Sequence, residues 1–340
     1  MPVYHSDRFL EDAILSILHQ TYPYFELIIV CSDPTDETKR ILEDYQKKDS
    51  RIRVVYQEKK GIIFARNTGF TLAKGEFIAV MDADDLSHTE RLETQLAYLK
   101  DHPDIGIVGS WAKIIDERGK TIKAACPPAK HAVIGWYLLF GNCMVHLTVM
   151  MRSSILKKLN GYQQKENGFP EDYDLWTRAF FVTKLANIQQ FLGGYRMHTS
   201  NNSLDVSAEL DRYCAIIQDS MIRRLIGEMG KLFSITMPVL DKDSVFSFTH
   251  PVNPERAEFA ETLFHAYKMK FNPSKSEISE MNLRISEYLI SSSLSVFQHS
   301  KSRSRVLLFK SLHYSKTAVI RKILSLISGD FKKYFYTMYY

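Results

Sequence analysis

The stretch Phe77-Ile78-Ala79-Val80-Met81-Asp82-Ala83-Asp84-Asp85 decides the reading of this chain. An apolar run with the look of a buried strand empties directly into three carboxylates. Ionised acids this close repel one another, so they are splayed into water, partly protonated, or held by a cation that prefers oxygen ligands. Taken alone, such a cluster is more often a solvated turn or a helix cap. Its surroundings carry the interpretation.

Working outward, the first hundred residues alternate helical and strand patterns, as βαβ units do. Phe9, Leu10, Ala13, Ile14, Ile17 and Leu18 recur at helical spacing, and Leu27-Ile28-Ile29-Val30 is a buried-strand run. Ile41, Leu42 and Tyr45 mark a second helix and Ile52 to Tyr56 a second strand. A helix from about Ile63 to Ala73 precedes the acidic strand; Leu92, Leu96 and Leu99 give another helix, and Ile105 to Val108 another strand. From about Ala112 to Gly194 the pattern is irregular and predicts mainly loops. From roughly Ser207 onward the sequence reads as helices separated by Pro238, Pro251, Pro254 and Pro273. The expected class is α/β, with a mostly parallel, Rossmann-like sheet between flanking helices. The chain is expected to divide into one domain of catalytic size over 1–204 and a helical extension over 205–340.

At 340 residues and 45% hydrophobic, the chain is long enough to bury a large core. A net charge of +5 favours anionic partners only weakly. Cys31, Cys126, Cys143 and Cys214 are widely spaced, which points neither to a zinc site nor to a disulfide framework and fits a reducing cytoplasm. No signal peptide opens the chain, and no apolar run reaches the roughly 18 residues that span a bilayer. Any membrane contact is expected to be peripheral. Nucleic acid is not an expected partner.

In a doubly wound sheet, ligands sit beyond the carboxyl ends of the strands, so Asp33 and Asp82 to Asp85 are placed to face one cleft. A divalent cation bridges such acids to a diphosphate. Arg66 lies on the preceding helix, where it either pairs with Asp82 or meets the ligand. Glu171-Asp172 begins an apolar helical pattern; it reads as helix N-capping or as a general base taking a proton from an acceptor hydroxyl. Tyr195-Arg196-Met197-His198 precedes a polar loop, and His198 gains a role only if that loop returns to the acids.

Together these blocks resemble glycosyltransferase family 2, the inverting GT-A-fold enzymes that use nucleotide-sugar donors. The resemblance spans about Pro2 to Ser203. It rests on Pro2-Val3-Tyr4, Ile14 to Tyr22, Phe25 to Val30, Ala65-Arg66-Asn67-Thr68-Gly69, Gly75 to Ile78, Asp82-Ala83-Asp84-Asp85, Glu171-Asp172 and Tyr195-Arg196-x-His198. It implies that Pro2, Tyr4 and Asp33 line the base and ribose pocket, and that Arg66 and Asp82 contact the nucleotide. It also implies that Asp84 holds Mn²⁺ or Mg²⁺ with His198 as a second metal or diphosphate contact, that Asp172 with Glu171 beside it supplies the base, and that His146 with Thr148 to Arg152 walls the acceptor side. The implied reaction moves a sugar, from a UDP-sugar, to a glycan or lipid-linked acceptor in bacterial cell-surface polysaccharide synthesis. A metal-dependent nucleotidyltransferase and an inactive remnant or binding module are the alternatives.

Two departures from the family pattern stand out. Where an Asp-Asp-Gly-Ser-x-Asp stretch is usual, this chain has Cys31-Ser32-Asp33-Pro34-Thr35-Asp36, which puts base recognition in question. The family's first apolar strand normally precedes Pro-Val-Tyr, whereas Met1 here falls at that strand's last position, so that central strand is expected to be absent. At the other end, Val319, Ile320, Ile323, Leu324 and Ile327 form an apolar stripe beside Arg321 and Lys322, followed by Phe331, Tyr334, Phe335 and Tyr336. The stripe suits an anionic membrane surface or packing on the catalytic domain.

Overall fold

The computed structural model describes residues 1–4, 7–163, 169–198, 208–233, 254–297 and 301–315. The expectation of an amphipathic tail from Val319 to Tyr336 lies outside these residues. They fall into two compact units, Met1–Ala129 with Met144–Val206, and Lys130–Cys143 with Ser207–Tyr340.

The first unit begins with three parallel strands: β1 (Pro2–Val3), β2 (Leu27–Ser32) and β3 (Ile52–Gln57), with β2 in the middle. The first strand, expected to be absent, is present as the two-residue β1, which sets Pro2 opposite Val30 and Val3 opposite Cys31 of β2. Every residue of β2 is buried, which explains its unbroken apolar run. Helix α1 (Asp7–Leu18) lays Leu10, Ala13, Ile14 and Ile17 into a core with Ile29, Cys31 and Ile41. Helix α2 (Asp36–Lys48) starts where the Thr35 hydroxyl accepts from the Thr38 N–H at 3.0 Å, with acids in its first turn and lysines in its last, as the helix dipole favours.

Helix α3 (Ile62–Leu72) leads to β4 (Phe77–Ala79), the acidic turn, β5 (Leu86–Ser87) and α4 (Arg91–Asp101). There follow β6 (Ile105–Ile115), β7 (Thr121–Ala125), α5 (His131–Leu138), a 3₁₀ turn (His146–Thr148), β8 (Met150–Arg152), α6 (Ser153–Lys158), α7 (Glu171–Phe180) and β9 (Lys184–Arg196). The second sheet has the order β4-β8-β6-β9-β5, with β7 on β6. Helices flank sheets as expected, but the parallel character is confined to the first sheet and the β6–β9 pair; β4–β8, β6–β8, β6–β7 and β5–β9 are antiparallel.

The loops expected between Ala112 and Gly194 are a correction: this region builds the middle of the second sheet. Its strands were hidden because β6 and β9 carry glycines and polar residues where partners press close. A Cβ on Gly193 would lie 2.5 Å from Leu147 Cδ1, so the glycine admits the turn that carries His146.

The second unit is helical, with α5 joined by α8 (Ala208–Phe233), α9 (Pro254–Phe271), α10 (Lys275–Phe297) and α11 (Lys301–Tyr314). Trp136 is fully buried among Phe264 and Tyr267, and its indole N–H donates to the Met281 carbonyl at 3.2 Å. The chain therefore leaves the first unit at Ala129, contributes one helix to the second, and returns at Met144. Among the described residues no helix is long and apolar enough to cross a membrane.

Candidate active site

The acidic turn lies beyond β4, and each of its three acids has a different partner. Asp82 Oδ1 accepts from Arg66 Nη2 at 2.9 Å, and its other oxygen lies 3.7 Å from His146 Nδ1. Burial alone would raise the Asp82 pKa, yet Arg66 and then His146 hold it well below the usual carboxylate range. Asp84 Oδ2 meets His198 Nε2 at 2.9 Å. Burial and the neighbouring Asp82 raise the Asp84 pKa, with His198 working against them. Asp85 is 1% exposed and accepts from the Arg196 N–H at 2.8 Å, so it fastens the turn to the end of β9. Burial, then Asp84 and Asp82, push its carboxyl well above the ordinary value.

Arg66 sits on α3, its side chain 7% exposed, and its second nitrogen donates to Glu171 Oε1 at the start of α7. One planar guanidinium thus joins a carboxylate from each side of the site, a geometry its fork of donors suits. Burial opposes the charge on Arg66, but Asp82 and Glu171 keep it more firmly protonated than usual. Glu171 itself is pushed up by burial, with Arg66 opposing and Asp172 adding to the rise. Asp172, next along the helix, accepts from the Tyr173 N–H at 2.7 Å.

Asn67, beside Arg66, clamps the loop after α6: its Nδ2 donates to the Tyr162 carbonyl at 2.8 Å and its Oδ1 accepts from the Tyr162 N–H at 3.0 Å. Tyr162 Oη then meets His146 Nε2 at 3.0 Å, and its ring lies under the Arg66 guanidinium. Gly161 makes this possible, since its φ is +67° and a Cβ there would stand 2.5 Å from Asn67 Oδ1.

Arg196 is 2% exposed and closes the opposite side. Its Nε donates to the Asp84 carbonyl at 2.8 Å, Nη1 to the Glu117 carbonyl at 3.0 Å, and Nη2 to Asp12 at 3.3 Å. Arg196 and His198 share the Phe9 ring, with the guanidinium 4.5 Å and the imidazole 5.2 Å from its centre.

The remaining sequence-predicted residues gather at the ends of the parallel strands. Pro2 lies in β1 opposite Val30 of β2, and Tyr4 is 53% exposed just after β1. Asp33 follows β2 with a left-handed φ of +52° and accepts from Lys60 Nζ at 2.5 Å. That contact, reinforced by the charges of Asp33 and Tyr4, raises the Lys60 pKa. Ser32 is turned inward, its hydroxyl accepting from Gln57 Nε2 at 3.2 Å.

The structure thus places Arg66, Asp82, Glu171 and His146 together, with Asp172 alongside, and Asp84 with His198, while Tyr4 and Asp33 follow the ends of the adjacent strands β1 and β2. His146, expected on an acceptor wall, stands against Asp82. Sequence reasoning missed Lys60, Tyr162 and Asp12, whose residue types are common on surfaces and give no periodic signal. Asn67 and Arg196 lay inside quoted motifs without a role.

Asp84 and His198 offer one oxygen and one nitrogen donor side by side. Among the described residues no group of three or more His, Cys, Asp or Glu gathers for a metal. Mg²⁺ is commonly held by one or two carboxylates plus substrate phosphates and water, so this pair fits a divalent ion shared with a diphosphate and does not fit an all-protein cage.

The family model described as Glycosyl transferase family 2 matches residues 1–159. The O-antigen biosynthesis glycosyltransferase WbnJ of Escherichia coli is 36% identical over 219 residues, covering 63% of this chain and 84% of that protein. The uncharacterized glycosyltransferase MJ1057 of Methanocaldococcus jannaschii is 36% identical over 202 residues, covering 58% of this chain and 69% of that protein. Among solved structures, S. aureus TarS 1-349 in complex with UDP-GlcNAc superposes with a TM-score of 0.54 at 18% identity, covering 91% of this chain and 87% of that one, which shows a shared fold. With these two relatives 36% identical and covered over 69% and 84% of their length, the chain belongs to glycosyltransferase family 2.

Proposed function

We propose that this glycosyltransferase moves a sugar from a nucleotide-diphosphate donor, a UDP-sugar, to a glycan or lipid-linked acceptor in bacterial cell-surface polysaccharide synthesis, inverting the anomeric configuration. The observation that carries the reading is the Arg66 bridge from Asp82, beside the proposed diphosphate site, to Glu171, beside the proposed base. The surface-polysaccharide assignment is supported by the name of the E. coli relative.

In this reading Tyr4 and Asp33 meet the nucleoside, and Arg66 presents positive charge toward the diphosphate. Asp172 takes the proton from the acceptor hydroxyl as its oxygen attacks the anomeric carbon; the carbon–phosphate-oxygen bond breaks on the opposite face, and the nucleoside diphosphate departs. Attack from that face inverts the centre. A bound Mn²⁺ or Mg²⁺, held by Asp84 and His198, would supply Lewis-acid charge to the departing diphosphate. Burial of Asp84 and its closeness to Asp82 make that corner costly to leave without a cation.

The test is a panel of nucleotide sugars screened for metal-dependent thermal stabilisation, followed by hydrolysis assays on those that bind. A UDP-sugar that stabilises the protein only with Mn²⁺ or Mg²⁺, and is then hydrolysed, supports the proposal. Absence of stabilisation by every nucleotide sugar defeats it.

A further inference from the structure

Arg91 opens α4, in neither the acidic turn nor a motif, and it is 0% exposed. Its Nη2 donates to the Val80 carbonyl at 2.9 Å and to the Val149 carbonyl at 3.1 Å. Its Nε donates to Gln95 Oε1 at 3.0 Å, one helical turn on. Gln95, also 0% exposed, donates from Nε2 to the Thr148 carbonyl at 2.7 Å and the Val108 carbonyl at 3.3 Å. Among the described residues no carboxylate lies within ion-pairing distance of Arg91, and its Nη1 is buried without a hydrogen-bond partner.

A guanidinium sealed in this way is expensive, and an aliphatic side chain of similar volume would pack the same space without the desolvation cost. What the aliphatic chain could not do is serve these carbonyls. The β4–β8 ladder ends at Ala79 opposite Met150, and beyond it the Val80 N–H donates to the Val149 carbonyl at 2.9 Å. Arg91 ties the two strand ends together where the ladder stops. Val80 stands two residues before Asp82, and Thr148 and Val149 stand two and three after His146.

We infer that Arg91 and Gln95 are a positioning pair, a buried guanidinium–amide bracket that holds the strand ends carrying Asp82 and His146 at their working separation. The inference rests on the site proposed above but concerns how the main chain is held, which can be read without a ligand. Burial brings the Arg91 pKa down only to about 10, so the bracket keeps its charge and donors at neutral pH.

The experiment compares full-length Arg91→Met, Gln95→Met and Leu99→Ala, the last a buried residue of the same helix that makes no side-chain hydrogen bond to either strand end. Amide hydrogen exchange is followed by mass spectrometry without ligand. Peptides covering residues 78–85 and 145–151 are expected to lose protection about tenfold or more in the two bracket variants, beyond any loss in β2 and β6, while Leu99→Ala, at a residue that packs with Met150, Phe77 and Ala79, gives the smaller loss owed to core packing alone. Should Arg91→Met fail to fold, Gln95→Met carries the comparison. With UDP-GlcNAc and Mn²⁺, the bracket variants should lose kcat by about 10- to 100-fold with little change in KM, as small misplacement of reacting groups does. Exchange in the two segments no faster than in Leu99→Ala overturns the inference. A wild-type enzyme silent toward UDP-GlcNAc bears on the donor alone, since the exchange comparison decides the bracket.

Discussion

Arg66 and Glu171 are separated by 105 residues in sequence, yet the Arg66 guanidinium donates to Glu171 with one nitrogen and to Asp82 with another. Lysine, a point charge on a flexible stem, cannot span two carboxylates in fixed directions. Arg66→Ala is expected to lower kcat/KM for donor hydrolysis by about 100- to 1,000-fold, in line with the loss of one preorganised charge-stabilising donor. Arg66→Lys should recover little of it, and steady-state kinetics on the three proteins checks both statements.

Asp172 is proposed as the proton acceptor, and its amide analogue preserves shape while removing basicity. Asp172→Asn is expected to reduce transfer to an acceptor by about 100-fold or more while leaving donor affinity nearly intact. Calorimetric donor titration beside a transfer assay separates the two effects. Near wild-type turnover would remove Asp172 from this role.

Asp84→Ala should abolish the metal-dependent part of donor binding, because it takes away the carboxylate of the two-donor pair. His198→Ala should weaken the same term by less, since the nitrogen is the softer of the two donors for Mg²⁺. Titrating the donor with and without chelator gives the metal-dependent term for each variant.

Gly161→Ala places a methyl group against Asn67 Oδ1 and forces a side chain onto a φ of +67°. A destabilisation of about 1–3 kcal/mol is expected from the strained backbone. Because Asn67 and Tyr162 are clamped together, the loss should appear in kcat as well as in the thermal midpoint. Asn67→Ala is expected to give a similar kinetic defect without the backbone strain.

The alkaline limb of stability has a definite sign. Burial pushes the Cys143 thiol up to about 12 and raises the Tyr137 and Tyr162 hydroxyls above their ordinary value. A folded-state pKa above the unfolded one contributes stability that is intact below the unfolded value and lost as pH climbs toward the folded one. Unfolding midpoints should therefore begin to drop above roughly pH 9 to 10, where unfolded cysteine and tyrosine ionise. Tyr137→Phe should blunt that fall. At pH 8, exposed Cys126 should be alkylated well before Cys143.

Much of the first hundred residues was legible because each element there has one strong period: α1 shows its apolar face at helical spacing, and β2 is apolar throughout. The acidic turn announced itself by charge density, and Arg66 and Glu171-Asp172 by their motifs. β6 and β9 were not legible, since their residues answer to neighbours far along the chain, such as Gly193 to Leu147 and Asn187 to Gly109. Tyr162 and Lys60 could not be found for a related reason: each acquires a role only through a partner remote in sequence, His146 for one and Asp33 for the other.

The excursion from Lys130 to Cys143 sets a rule for dissecting this protein. Severing the chain after residue 206 would strand Trp136 and Phe140 without Phe264, Tyr267 and Tyr288, leaving a greasy helix looking for cover. Neither half is a detachable module, and a chimaera made by end-to-end fusion would inherit an orphan; a graft must exchange both pieces at once.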